Sequence, residues 1–244
     1  MKMDAGAGIE IFGISDHWVR RPWKDEEVRW WMEPEKLDEY VEELLRLKKI
    51  LDDDSFSLKI GLEVDFFFEN IDDVLAHLAA YPLDYLIGSV HYAGTFPIDY
   101  DISCWEDVSP EKKDDICRVY WEKLAGAAAR KEFAFIGHLD LPKKFALIDN
   151  NKYYGEACRV LDIIADNGGC LELNTSGWFK NCAEQYPSEK ILQEAAKRCI
   201  PAIISADAHI PEDVCRNFTA AADLLARCGF QGFSGAHLFN YGCS

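Results

Sequence analysis

Residues Pro201–Val214 read PAIISADAHIPEDV, an apolar, β-branched run that stops at Asp207 and His209. Such a run suits a buried strand, because branched side chains pack well on a pleated surface. One strand ending in a carboxylate and an imidazole is most simply a turn or a cap. Four other apolar runs end the same way. IEIFGIS leads into Asp16 and His17, KIGLEV holds Glu63 and stops at Asp65, LIGSV meets His91, and FAFIG meets His138 and Asp140. Four of the six histidines therefore follow a strand at its carboxyl end. A repeated ending of this kind is hard to explain by caps alone.

Between these runs lie helical stretches. Pro34–Leu51 carries Leu37, Tyr40, Val41, Leu44, Leu45 and Lys48 along one face, with proline in the first turn. IDDVLAHLAA, SPEKKDDICRVYWEKLAGAAARK and GEACRVLDIIADNGG read as further helices, and a strand CLELNTSG follows the last of them. SEKILQEAAKRC offers Ser188 as an N-cap, and PEDVCRNFTAAADLLARCG closes at Gly229. The βαβα rhythm predicts an α/β fold, a parallel sheet covered by helices, as a single domain over residues 1–244. In such folds the carboxyl edge of the sheet is where active sites are built. Imidazoles and carboxylates gathered on that edge, without gathered cysteines, are a ligand set for zinc, manganese or iron.

Composition narrows the partners. With 26 basic and 43 acidic residues the net charge is −17, and 49% of the 244 residues are hydrophobic. That length supports one large core. The charge argues against a nucleic-acid partner, since phosphate backbones need basic stripes, and an anionic substrate would require cations in the site itself. No apolar run reaches membrane-spanning length and MKMDAGAGIE has no signal-peptide core. The nine cysteines are scattered and never spaced C-x-x-C, which predicts free, mostly buried thiols in a cytoplasmic setting. His77, in mid-helix, and His237, in the tail, read as structural. The aromatic and arginine-rich WVRRPW…VRWWM segment reads either as a substrate lid, with Arg20 a substrate-binding candidate, or as packing.

Taken in order, GISDH, GLEVDF, GSVHY, GHLDLPKKF, LELNTSG and SADAH resemble the polymerase-and-histidinol-phosphatase (PHP) superfamily. The stretch from LELNTSGWFK to SADAH resembles its histidinol-phosphatase branch, and the likeness runs from about Ile9 to the end. It implies a distorted TIM-like (β/α)7 barrel with up to three divalent metal ions at its carboxyl face. It also implies hydrolysis of the small phosphorylated substrate L-histidinol phosphate, by attack of activated water on phosphorus. Carried over, Glu63 would bridge two metals and His91 and His138 would complete the middle one. Asp207 would bind the first, and His17 and His209 the third. Asp207 or His209 would protonate the departing alcohol.

Two departures from the family pattern follow. The family's first motif, H-x-H at the end of strand one, is absent, so the resemblance implies a barrel lacking its first strand. The first metal would keep only Glu63 and Asp207, and the third only His17 and His209. A late start and a natural variant with fewer metals both account for this, and the unpaired strand edges favour the former. The other departure concerns phosphate. Phe179 stands where the family has a phosphate-gripping arginine, beside Trp178 and Lys180. Lys180 could compensate as a point charge. Lys144 matches a second basic phosphate contact, although it and Lys143 also read as a solvated surface pair. The alternatives are therefore a PHP-type phosphoesterase acting on another small phosphomonoester, or an inactive remnant.

Overall fold

The structure, a computed structural model, describes residues 9–23 and 30–230. In chain order its strands are β1 (Ile11–Trp18), β2 (Ser57–Asp65), β3 (Tyr85–Ser89), β4 (Tyr92–Ala93), β5 (Phe96–Pro97), β6 (Phe135–Ile136), β7 (Leu171–Asn174) and β8 (Ala202–Ser205). The helices are α1 (Leu37–Leu51), α2 (Ile71–Leu78), α3 (Pro110–Ala128), α4 (Tyr154–Asp166), α5 (Glu189–Lys197) and α6 (Phe218–Cys228). Six strands make one parallel sheet in the order β1-β2-β3-β6-β7-β8, while β4 and β5 form a small antiparallel hairpin. The order follows the chain, each crossover carrying at least one helix or turn of helix.

This sheet curls. β1 and β8 stand at its opposite edges, yet His17 at the end of β1 and His209 just past β8 bring their Nε2 atoms within 3.5 Å. The strands therefore form an incomplete TIM-like barrel whose carboxyl ends face a common centre. Most of β2 is buried, as expected of a central parallel strand covered on both sides. Tyr85 fills the space above Gly13 and Gly61, where an added Cβ would collide with its ring. Outside the sheet, α1 buries Leu37, Val41 and Leu44, and its Lys48 ties back to the Leu58 carbonyl (2.5 Å) and Asp84 (2.9 Å).

Helix ends show where local chemistry agreed with the fold and where it gave way. Ser109 caps α3, accepting from the Lys112 amide at 3.2 Å, with Pro110 in the first turn. Ser188 precedes α5 without using its hydroxyl as a cap; its amide donates instead to the buried Asp140 carboxylate at 2.9 Å. The last helix is shorter than the sequence pattern suggests. Pro211–Asp213 make a 3-10 turn, and positive φ at Cys215 and Asn217 breaks the chain before α6 begins at Phe218. Gly229, at φ 99°, ends α6 in the left-handed conformation predicted for it. The FAFIG strand is also cut short. After Ile136 the chain leaves the ladder, and the His138 amide donates to the Glu172 carboxylate at 2.7 Å.

Candidate active site

Parallel register sets the first pair of functional groups. β1 pairs with β2 so that His17 lies directly beside Glu63. In a parallel ladder, neighbours in register point to the same face, and the His17 Nδ1 indeed lies 3.3 Å from Glu63 Oε2. The other carboxylate oxygen, Oε1, faces His138 Nε2 at 3.0 Å and His91 Nε2 at 3.4 Å. One buried carboxylate is thus surrounded by three imidazoles. Its two oxygens look into two lobes, one holding His17 and His209, the other His91 and His138.

The electrostatics follow from that geometry. Burial alone would raise the Glu63 carboxyl, but His17, His138 and His91 together hold it well below the usual range. Burial would likewise discourage a charge on His91, yet the hydrogen bond and charge of Asp65 push it up to about 10. Asp65 also accepts from the His91 amide at 3.0 Å, and its second oxygen lies 3.6 Å from His91 Nδ1. His138 is raised as well, with Glu63 outweighing its burial.

A divalent cation suits this arrangement. His17, Glu63 and His91 each offer a ligand atom within 4.8 Å of the others, the spacing of groups sharing an ion. The His17 and His209 Nε2 atoms face each other at 3.5 Å, two ring nitrogens aimed at one space. His138 keeps a buried Nδ1 without a hydrogen-bond partner among the described residues, while His91 Nδ1 is backed by Asp65 at 3.6 Å, so the Nε2 atoms of both rings face Glu63. Carboxylate and imidazole without thiolate is a donor set for zinc or manganese.

Above the floor opens a cleft of about 350 Å3, within the range of small-molecule sites. Asp207 and His209 stand at its edge. Asp207, at a positive φ of 48°, accepts from Asn174 Nδ2 (3.2 Å) and Ser176 Oγ (3.3 Å), while His209 Nδ1 lies 3.0 Å from the Asp207 carbonyl. A non-glycine residue held there is strained, as functional positions often are. Lys144 and Lys180 line the cleft. Lys144 is not a solvated lysine: its ammonium pairs with Asp99 at 3.0 Å. Burial would raise the Asp99 carboxyl, but His91 and Lys144 hold it low. Lys143 is not solvated either. Only 6% exposed, its side chain is clamped by Asp140 (3.0 Å), Glu184 (2.6 Å) and the Gln185 carbonyl (2.7 Å).

Other expectations are corrected. Among the described residues, Arg20 is not one of those lining the cleft; its guanidinium lies over Trp18 at 5.7 Å. The aromatic segment divides. Trp23, Trp30 and Trp31 all pack against the cluster of Val19, Phe67 and Tyr92, and Trp30 alone of the three also lines the cleft, in T-shaped contact with His17 and His91. The intervening residues 24–29, and His237, lie outside the described residues. His77 stacks on Trp18 at 6.1 Å, a packing role. None of the eight described cysteines forms a disulfide, and Cys199 is the exposed one among them. No described helix is long and apolar enough to cross a membrane. Residues that pattern alone did not single out for the cleft include Asp99, Tyr186, Asp213 and Arg216. They come from loops and, for Asp213, from the 3-10 turn Pro211–Asp213, where no strand ending flags them.

Residues 3–176 match the family model described as PHP domain. A Deinococcus radiodurans protein named "Probable histidinol-phosphatase" is 36% identical, covering 91% of this chain and 84% of its own. A Bacillus subtilis "Histidinol-phosphatase" is 30% identical over 79% of this chain and 76% of its own. A solved histidinol phosphate phosphatase from Lactococcus lactis, complexed with zinc, L-histidinol and phosphate, superposes with a TM-score of 0.75 at 20% identity, covering 93% of this chain and 85% of that one. At that identity the superposition speaks for the fold.

Proposed function

Because the chain belongs to the PHP-domain family, we propose that it is a metal-dependent phosphomonoesterase hydrolysing L-histidinol phosphate to L-histidinol and phosphate. The observation that carries this reading is the buried Glu63 carboxylate facing three imidazoles beneath an open cleft. Glu63, His91 and His138 would hold one divalent ion, with His17 and His209 on the side of the second Glu63 oxygen. Bound there, a divalent ion supplies Lewis acidity and eases the deprotonation of water at neutral pH.

The protein's own groups do the rest. Asp65 and Glu63 orient His91 from opposite sides, and the Glu172 carboxylate fixes the His138 backbone. Trp30 makes T-shaped ring contacts with His17 and His91 and lines the cleft beside them, holding both imidazoles from the side. Lys144 and Lys180 draw a phosphate into a molecule of net charge −17. His209, at the cleft edge with a 68% exposed side chain, would deliver a proton to the departing alcohol; Asp207, its neighbour, is the other candidate.

The test is phosphate release from L-histidinol phosphate beside a panel of sugar and nucleotide phosphomonoesters, with zinc or manganese supplied. The expected result is a kcat/KM for L-histidinol phosphate at least about tenfold above every other member, a difference of about 1.4 kcal/mol in transition-state binding. Equal rates across the panel would defeat the substrate assignment. Less than one metal per chain together with no turnover would defeat the enzyme itself.

A further inference from the structure

One cation of the cleft is built unlike the others. Arg216 lies in the loop between β8 and α6, and its guanidinium carbon stacks 3.5 Å above the centre of the Phe179 ring. Nη1 is tethered to Asp213 at 2.6 Å. The buried Nε has no partner among the described residues. The backbone is fixed as well: Thr175 Oγ1 donates to the Arg216 carbonyl at 2.8 Å, and Cys215 and Asn217 hold left-handed conformations on either side, each at φ 63°. Two strained residues, a cross-loop hydrogen bond and an aromatic platform are a large investment in the direction of one side chain.

With Nη1 held by Asp213, the Nε–Nη2 edge is the one left for a second acceptor. That edge presents two parallel N–H groups matched to a pair of phosphoryl oxygens. Phe179, which cannot donate a hydrogen bond, stands where an arginine was expected from the family pattern, and the guanidinium found on its ring comes from a different loop. We propose that Arg216 grips the phosphoryl group of the substrate, with Phe179 as its stacking platform and Asp213 as its tether. This inference rests on the phosphomonoesterase reading and assigns the anion-binding group of that same cleft.

Inorganic phosphate is the probe, titrated calorimetrically into the zinc-loaded protein, so that the outcome does not depend on which ester is hydrolysed. Arg216→Ala should weaken phosphate binding about 30-fold, the loss expected for a charge-assisted pair of hydrogen bonds, while leaving zinc content unchanged. Arg216→Lys keeps the charge without the fork and should lose about half of that on a logarithmic scale; it carries the same test should the alanine variant fail to fold. Phe179→Ala should cost about threefold through loss of the platform. In the Arg216→Ala background, Phe179→Arg should restore most of the affinity by returning a guanidinium to the same space. Unchanged phosphate affinity in Arg216→Ala or Arg216→Lys, with zinc retained, would overturn the assignment. A wild-type protein that binds phosphate but spares L-histidinol phosphate would instead overturn the substrate reading and leave Arg216 in place.

Discussion

The floor of the cleft and its rim are built in opposite ways. The floor is made by strand ends: His17 beside Glu63 by register, His91 and His138 one short step past β3 and β6, all close to a single carboxylate. Glu63, His91 and His138 are buried, His17 is partly buried, and all are mutually paired. The rim is made by loops: Lys144 from the turn after β6, Lys180 after the 3-10 turn Thr175–Phe179, Arg216 between β8 and α6. Lys144 and Arg216 are partly exposed and lean on Asp99 and on Asp213 with Phe179, and Lys180 is exposed. A rigid ladder suits the floor because ligand spacing tolerates errors of only tenths of an ångström. Loops suit the rim because charge attracts over longer distances and substrate must enter and leave.

The sharpest way to break that contrast is Glu63→Gln. The amide keeps the shape and removes the charge shared by three imidazoles. Zinc affinity should fall by more than the about 10- to 100-fold that losing an outer partner costs, and hydrolysis should drop to background. Wild-type zinc content in that variant would mean the floor is not a metal centre.

The neighbouring lysines sharpen the distinction next. Lys143→Ala removes the partner of the buried Asp140 and should cost about 3 kcal/mol of stability, read as a lowered thermal midpoint, with phosphate affinity unchanged in the folded protein. The cost sits at the low end for a broken buried pair because burial already pushes the Asp140 carboxyl up, so it can take a proton once the ammonium is gone. A wild-type midpoint would mean Lys143 is as solvated as its sequence context suggested.

pH separates floor from rim in a third way. His91, with an ordinary value of 6.5 when unfolded, is pushed up to about 10 in the metal-free fold. A raised folded value adds stability that is fully present below pH 6.5 and is lost as pH climbs through about 10. Metal binding needs the imidazoles deprotonated, so zinc affinity should rise across the same interval and zinc should release protons on binding. Metal-free stability and zinc affinity should therefore slope in opposite directions between those limits. Calorimetry in buffers of different ionisation enthalpy reads the protons; none released at pH 7 would contradict the raised values.

The smallest effect is expected from Arg20→Ala. Its guanidinium lies on Trp18 outside the cleft, so KM should change by less than about twofold. A larger change would move the rim outward to the segment after β1.

Much of the floor was legible in the sequence because period and punctuation mark strand ends. An apolar run that stops at His17, Glu63 with Asp65, His91 or His138 announces both the strand and the group it delivers. The rim was less legible. Lys144 and Lys180 were suggested by family resemblance and line the cleft, Arg20 was a candidate from the aromatic, arginine-rich segment and is not among the described lining residues, and Arg216 sits in a stretch that reads as the start of a helix. Only the left-handed turns at Cys215 and Asn217 delay that helix and free Arg216. Such turns usually announce themselves by glycine, and here they do not.

The sequence by itself determined the alternation of strands and helices, the parallel sheet and the set of imidazoles and carboxylates on its carboxyl edge. These follow from side-chain periodicity, which is local. Tertiary structure alone decided that His17 and His209, from opposite edges of the sheet, meet at 3.5 Å, and that Lys143 is locked inside while Lys144 faces the cleft. It also decided that Phe179 carries an arginine from another loop. The curl of the sheet and the path of its loops come from packing among segments far apart in the chain, and no local pattern encodes a distance.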